Sequence, residues 1–278
     1  MLLLLSMPLE MQEKNIRRIK NMKYLNKFAL NGKVALITGT STGLGQGITL
    51  DYIQAGAKVV GVDYMGNQED TINKVAALGG DFTPYQADLI NATTDDLKKL
   101  VDFVVQRYGK IDILVNNAGI IRRDDILDFT EKDWDDVMNI NIRTVFFLTQ
   151  EVARRFVAQG HGGKVINIAS MLSFQGGIRV PSYTSSKSAI KGLTMSFANE
   201  LAKDNINVNA IAPGYMATNN TKALREDEQR AGQILERIPA NRWGTPADVA
   251  GPAVFLASDA ANYINGFTLA VDGGWLAR

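Results

Sequence analysis

The sequence contains no cysteine, which excludes disulfides, thiolate metal sites and cysteine nucleophiles. Histidine is almost as scarce. The one present, His161, lies between Gly160 and Gly162 and reads as a solvated turn residue. A Ser-His-Asp triad or a histidine-held zinc would rest on that loop residue alone, so no metal is expected. An excess of charge of one sign is also missing. The formal net charge is +1, which gives no reason to expect nucleic acid or an acidic membrane as a partner. No Pro- or Ser-rich linker, repeat or second compositional regime divides the chain. Its chemistry must therefore use Tyr, Lys, Ser, Asn or carboxylates, together with a borrowed cofactor.

What is present is 278 residues, 46% of them hydrophobic, enough for a soluble globular chain to bury a full core as one α/β domain. Residues 1–27 do not resemble the rest and read as a leader or disordered tail. Leu2 to Leu5 is too short for a signal-peptide core and no basic residue precedes it. Arg17-Arg18, encodable as AGG-AGG three codons ahead of Met22, has the form of a ribosome-binding sequence, and Met22 is the expected true start. From Lys33 the pattern is regular. Apolar runs of buried-strand length at 34–37, 58–63, 82–86, 111–115, 164–169, 207–212 and 268–271 alternate with helical stretches, among them 94–108, about 130–158, 182–203 and 246–257. Strands apolar on both faces, separated by helices, predict a doubly wound parallel sheet of about seven strands with helices on both sides.

One stretch concentrates chemistry. The strand ending at Ser170 is followed by a polar loop and then by Ser182-Tyr183-Thr184-Ser185-Ser186-Lys187 at a helix start. Tyr183 and Lys187, four apart, fall one turn from each other on one helix face. An ammonium there is expected to draw a phenol pKa of ~10 toward neutrality, while the Ser170 hydroxyl holds a substrate oxygen.

A second stretch concentrates glycine. Gly39, Gly43 and Gly45 lie between the first strand and the following helix, giving a tight turn, room for a pyrophosphate and a helix N-terminus facing it. Asp63 ends the next strand. A carboxylate there accepts ribose hydroxyls and repels a 2′-phosphate, and the loop offers Thr40, Ser41 and Thr42 but no Lys or Arg, so NAD is expected over NADP.

Thr38-Gly39-x-x-x-Gly43-x-Gly45, Asn116-Asn117-Ala118-Gly119, Ser170, Tyr183-x-x-x-Lys187 and Pro213-Gly214 occur in the order and spacing of the short-chain dehydrogenases/reductases, which the chain resembles over about residues 28–278. The resemblance implies a single Rossmann-type domain. It also implies catalytic roles for Ser170, Tyr183 and Lys187, with Asn141 supporting a water that leads to the lysine. Cofactor contacts are implied at Gly39, Thr42, Gly43, Leu44, Gly45, Asp63, Asp88, Leu89, Asn116, Ala118 and Gly119. Tyr183, Lys187, Pro213, Gly214, Met216 and Thr218 complete that set.

The variable segments at 120–123, 171–181 and 215–221, with Arg242-Trp243-Gly244 and the ending 271–278, most resemble one bacterial branch of the family, the 2-dehydro-3-deoxy-D-gluconate 5-dehydrogenases. That branch implies a sugar-acid substrate, one carboxylate with several hydroxyls, for which Arg179, Arg122, Gln175 and Asn219 are the candidate partners. Gluconate 5-dehydrogenase, 3-oxoacyl-carrier-protein reductase and a non-catalytic NAD-binding regulator are the alternatives. The family's habit of pairing helices 130–158 and 182–203 implies a homotetramer. The absence of an export signal and of cysteine implies a cytoplasmic location.

Overall fold

Seven apolar runs become seven parallel strands of one sheet in the computed structural model, which describes residues 23–278. The expected start at Met22 and the residues before it lie outside the described residues. In chain order the elements are β1 (Val34–Thr38), α1 (Gly43–Gln54), β2 (Lys58–Asp63), α2 (Glu69–Ala77), β3 (Phe82–Gln86), α3 (Thr94–Tyr108) and β4 (Ile113–Asn116). Then come α4 (Glu131–Met138), α5 (Thr144–Gln159), β5 (Gly163–Ile168), α6 (Pro181–Leu201) and β6 (Ile206–Pro213). Two short helices, α7 (Lys222–Glu226) and α8 (Glu228–Arg237), precede α9 (Pro246–Ala257) and β7 (Thr268–Val271).

Burial explains why these runs are strands. Every residue of β1 is buried, as is every residue of β4, so neither face alternates toward water. One face packs on α1 and α9, through Ile48, Tyr52, Val249 and Ala253. The other packs on α3 and α5, through Leu97, Leu100, Leu148 and Phe156. Local signals set the helix ends. Thr93 and Asp96 form a reciprocal capping box at the start of α3, and Gly109, in the left-handed region at φ 77°, ends it.

The strand order is β3-β2-β1-β4-β5-β6-β7. The order of strands, not their direction, reverses between β1 and β4, and a parallel sheet opens a crevice at the carboxyl ends of such a pair. The glycine-rich loop follows β1 and the Asn116–Gly119 segment follows β4, so both motifs meet at that crevice. Sequence reading predicts one helix over 130–158. The structure divides it with a π-helical turn at Asn139–Arg143, which sets Asn141 inward at 1% exposure. Among the described residues, no helix is long and apolar enough to cross a membrane.

Candidate active site

The glycine loop is shaped by contacts that no side chain could share. A Cβ on Gly45 would lie 2.0 Å from the Gly39 carbonyl oxygen, and one on Gly39 would lie 2.8 Å from Asn117 Nδ2. Gly39 and Gly43 both take positive φ, 75° and 61°. The Thr42 side chain makes no capping bond to α1, so the first N–H groups of that helix are left for a ligand. Asn117 joins the two loops. Its Nδ2 donates to Thr38 O at 2.8 Å and Gly39 O at 3.1 Å, while the Asn117 and Ala118 N–H groups donate to Thr38 Oγ1.

A cleft of about 390 Å³ runs over this platform. Gly39, Thr42, Gly43 and Leu44 form its floor, Asp63, Asp88 and Leu89 one end, and Ala118, Gly119, Tyr183, Lys187, Thr218 and Asn219 the other. The length, the bare backbone and the open helix N-terminus fit a dinucleotide. Four residues predicted to touch a cofactor stand behind this wall. Asn116 is 4% exposed and spends its amide on Thr149 Oγ1 and Asn167 Oδ1, within the sheet. Gly45 closes the turn, Pro213 ends β6 in the core, and Met216 is buried against Gly244. Gly214 opens onto the neighbouring cavity instead. Asn117, which lines the cleft, is the residue that sequence reading passes over in favour of Asn116.

Ser170, Tyr183 and Lys187 meet where the cleft joins a second cavity of about 810 Å³. Lys187 Nζ stands 5.6 Å from the Tyr183 ring centre and donates to Ile168 O at 2.6 Å. Burial lowers the Lys187 amine from its usual 10.5 to about 8. Tyr183 differs from expectation. Burial raises its phenol above the ordinary value, and the opposing pulls come from the Ser170 hydroxyl and the Arg123 charge rather than from Lys187. Asn141 braces the site. It accepts from Ile120 N at 3.0 Å, and its Nδ2 donates to Ile120 O and Ser186 Oγ. Ser186 Oγ in turn donates to Tyr183 O, which ties the π turn to the tyrosine's own helix.

The predicted carboxylate partners separate. Arg122 turns toward α4 and pairs with Asp133 and Asp136, outside the cavity. Arg179, with a left-handed backbone at φ 62°, lines the cavity but pairs with Asp125 at 3.2 Å and Asp124 at 3.7 Å. Gln175 lines it too, its Oε1 already accepting from Trp275 Nε1 and Arg237 Nη2. Asn219 faces the dinucleotide cleft; Asn220 borders both spaces. Of the cations in this cavity that sequence reading misses, Arg123, Arg230 and Arg237, the one whose charge reaches Tyr183 is Arg123. It shares the cavity with Ser170 and Tyr183, and its one hydrogen bond is to Asn220 O at 3.1 Å, with no carboxylate partner among the described residues.

Comparison with known proteins agrees with this geometry. A family model described as enoyl-(acyl carrier protein) reductase matches residues 39–276. The chain is 63% identical over 254 residues to a 2-dehydro-3-deoxy-D-gluconate 5-dehydrogenase of Dickeya dadantii, covering 91% of this chain and 99% of that one. Among solved structures, one from Agrobacterium tumefaciens described as a 2-deoxy-D-gluconate 3-dehydrogenase has a TM-score of 0.85 and 52% identity, covering 91% of this chain and 100% of that one. A Beutenbergia cavernae protein described as an NAD(P)-dependent gluconate 5-dehydrogenase has a TM-score of 0.86 and 42% identity, with the same two coverages.

Both of those structures hold NADP, which overturns the expectation of NAD. Asp63 shows why that inference failed. Its Oδ2 accepts from Ser41 N at 2.9 Å and its Oδ1 from Met65 N at 3.2 Å. The carboxylate therefore braces its own loop, and its presence does not by itself set the choice at the ribose.

Proposed function

Because the chain belongs to the short-chain dehydrogenase/reductase family, we propose that it interconverts 2-dehydro-3-deoxy-D-gluconate and its 2,5-diketo form with NADP. The observation that carries this reading is the meeting of Ser170, Tyr183, Lys187 and the free Arg123 charge at the junction of the two cavities. The nicotinamide, when bound, accepts or returns the hydride. Gly39, Thr42, Gly43 and Leu44 would hold its pyrophosphate, and Tyr183, Lys187 and Thr218 would border its reactive end.

The side chains do the remaining work. Ser170 Oγ holds the reacting oxygen. Tyr183, kept protonated by burial, delivers its proton to that oxygen in reduction and takes it back in oxidation. Lys187 steadies the phenolate so formed, and Asn141 fixes the loop and helix on which these groups stand. Arg123 takes the substrate carboxylate, a charge-assisted contact worth about 1.5–3 kcal/mol. Arg123→Gln should therefore raise KM for the sugar acid by roughly 10- to 100-fold. Arg179→Gln, which removes a charge already paired with two aspartates, should change KM by less than about threefold. Steady-state kinetics on both variants, with a neutral ketone as control, checks the assignment; equal effects on acid and ketone would refute it.

Substrate choice is tested by assaying one purified sample with NADP against 2-dehydro-3-deoxy-D-gluconate, D-gluconate and a 3-oxoacyl thioester. The reading requires the first to have the highest kcat/KM. Asp63→Asn tests the cofactor end. Removing a negative charge near the adenosine ribose should raise kcat/KM for NADP relative to NAD by about tenfold, measured by the absorbance of the reduced cofactor.

The same reading carries a cytoplasmic homotetramer. On α6, Gly192 and Ser196 lie exposed beside Met195, and open space surrounds Gly192, which supports close approach of a second copy. Ala198, another small residue of that helix, packs into the chain's own core. Light scattering during size exclusion should return four times the chain mass of 30.4 kDa, and Gly192→Trp should halve or quarter it.

A further inference from the structure

A second polar cavity, of about 670 Å³, opens at the amino-terminal edge of the sheet, at the opposite ends of the strands from Tyr183. Lys164, on β5, contributes the amine at its wall. Nζ donates to Asn207 Oδ1 and to Asn262 Oδ1, both at 2.7 Å. Asn207 is itself fixed, because its Nδ2 donates to the carbonyl oxygens of Asn262 and Ile264. Among the described residues no carboxylate pairs with this amine. Asp112, in the same cavity, accepts from Val34 N at 2.8 Å and pairs with Lys110 at 2.9 Å.

Two amide oxygens match the donors of a neutral amine, which has two N–H bonds and a lone pair. No carboxylate among the described residues is ion-paired to the third position, although Asp259 lines the same cavity. The lone pair is then left to the cavity. We propose that Lys164 is a site of covalent acylation by small acyl phosphates, its amine held between Asn207 and Asn262 and reached through this cavity. The nitrogen attacks the acyl carbon, an N–C bond forms, the C–O bond to phosphate breaks, and the amine proton passes to solvent; nothing is oxidised or reduced. Lys33, in the same cavity, attracts the anionic donor and the departing phosphate.

The groups facing Lys164 agree with this chemistry. Burial lowers its amine from the usual 10.5 to about 8; Asp259, in the same cavity, pulls the other way, and Lys33 adds a smaller push in the direction of burial. His161 stands at the rim. At pH 7.5 an amine near 8 has about two orders of magnitude more free base than an ordinary lysine. Its lower basicity takes back about one order, on the dependence of nucleophilicity on basicity known for thiols.

The test is brief exposure of the native protein to acetyl phosphate, with acetylation of each lysine followed by peptide mass spectrometry from pH 6.5 to 9.5. Lys132 and Lys99, whose side chains are 80% and 72% exposed, are the internal standards. Lys164 should be acetylated about tenfold faster than either at pH 7.5, and its rate should level off above pH 8 while theirs keep rising. Asn262→Asp, a surface change that sets a carboxylate against the amine, should bring Lys164 down to the rate of the standards. Equal or slower acetylation of Lys164 in the native protein, or no effect of Asn262→Asp, overturns the proposal.

Discussion

Tyr183→Phe lowers kcat by roughly 10²–10⁴ and leaves NADP affinity within about twofold. The size follows from what is removed. The ring still fills its place beside Lys187, and the dinucleotide cleft keeps its glycines, its open helix end and the Asn117 brace. Only the proton donor goes, so the alkoxide formed by hydride transfer must find its proton from solvent. Pre-steady-state measurement of cofactor reduction, with NADPH binding followed separately by fluorescence, distinguishes loss of chemistry from loss of binding. More than about a tenth of wild-type kcat would show that another group moves the proton.

Lys187→Met has two effects that separate by pH. Activity falls by about 10² or more, the usual consequence of removing a charged group from a developing anion. Stability changes in the other sense. The folded amine titrates near 8 and the unfolded one near 10.5, so between those values the unfolded chain holds a proton that the folded chain has released. Wild-type stability therefore rises with pH across that window, and the full burden of the buried charge is present below it, on the order of 3 kcal/mol. Loss of the bond to Ile168 O offsets part of this in the variant. Urea unfolding at pH 7.5 and pH 10 should show wild type gaining a few kcal/mol relative to Lys187→Met between the two. A constant offset would mean that Lys187 is not a buried, destabilised cation.

The fold was legible because each strand is an unbroken apolar run, and because the motif residues stand at strand ends, where a parallel sheet puts its crevice. What escaped was decided by single-residue steps in extended chain. Asn116 and Asn117 differ by one position, yet the first belongs to the sheet's internal amide network and the second to the cleft. Arg122 and Arg123 point to opposite sides, one to two aspartates of α4 and one to the cavity. Neighbouring residues of one charge look alike in a sequence; only the register of the loop separates them. Arg179 lies at the cavity as read, but a left-handed backbone delivers its guanidinium to Asp124 and Asp125, pairs that sequence spacing does not show. Helices α7 and α8, in a segment read only as variable, were hidden by their modest apolar content. Of α8, only Ile234 is buried.

Asp63 teaches the same lesson about chemistry. A carboxylate at the end of the second strand keeps its charge and spare acceptor sites near the ribose, but two backbone N–H groups give it a second task, so its presence alone does not name the cofactor. The tyrosine's basicity is a parallel case. A cation one helical turn away suggests a lowered phenol, but burial of both partners reverses the balance, and Arg123 and Ser170 supply the opposing pull instead.

Isotope transfer examines the core of this account most directly. 2-Dehydro-3-deoxy-D-gluconate carrying deuterium at C5 is oxidised with NADP by the wild-type protein, and the reduced cofactor is analysed by mass spectrometry. One deuterium per reduced cofactor is the expected result, with about a hundredth or less of that amount transferred by Tyr183→Phe over the same interval. Reduced cofactor without deuterium, or equal transfer by the variant, would contradict it.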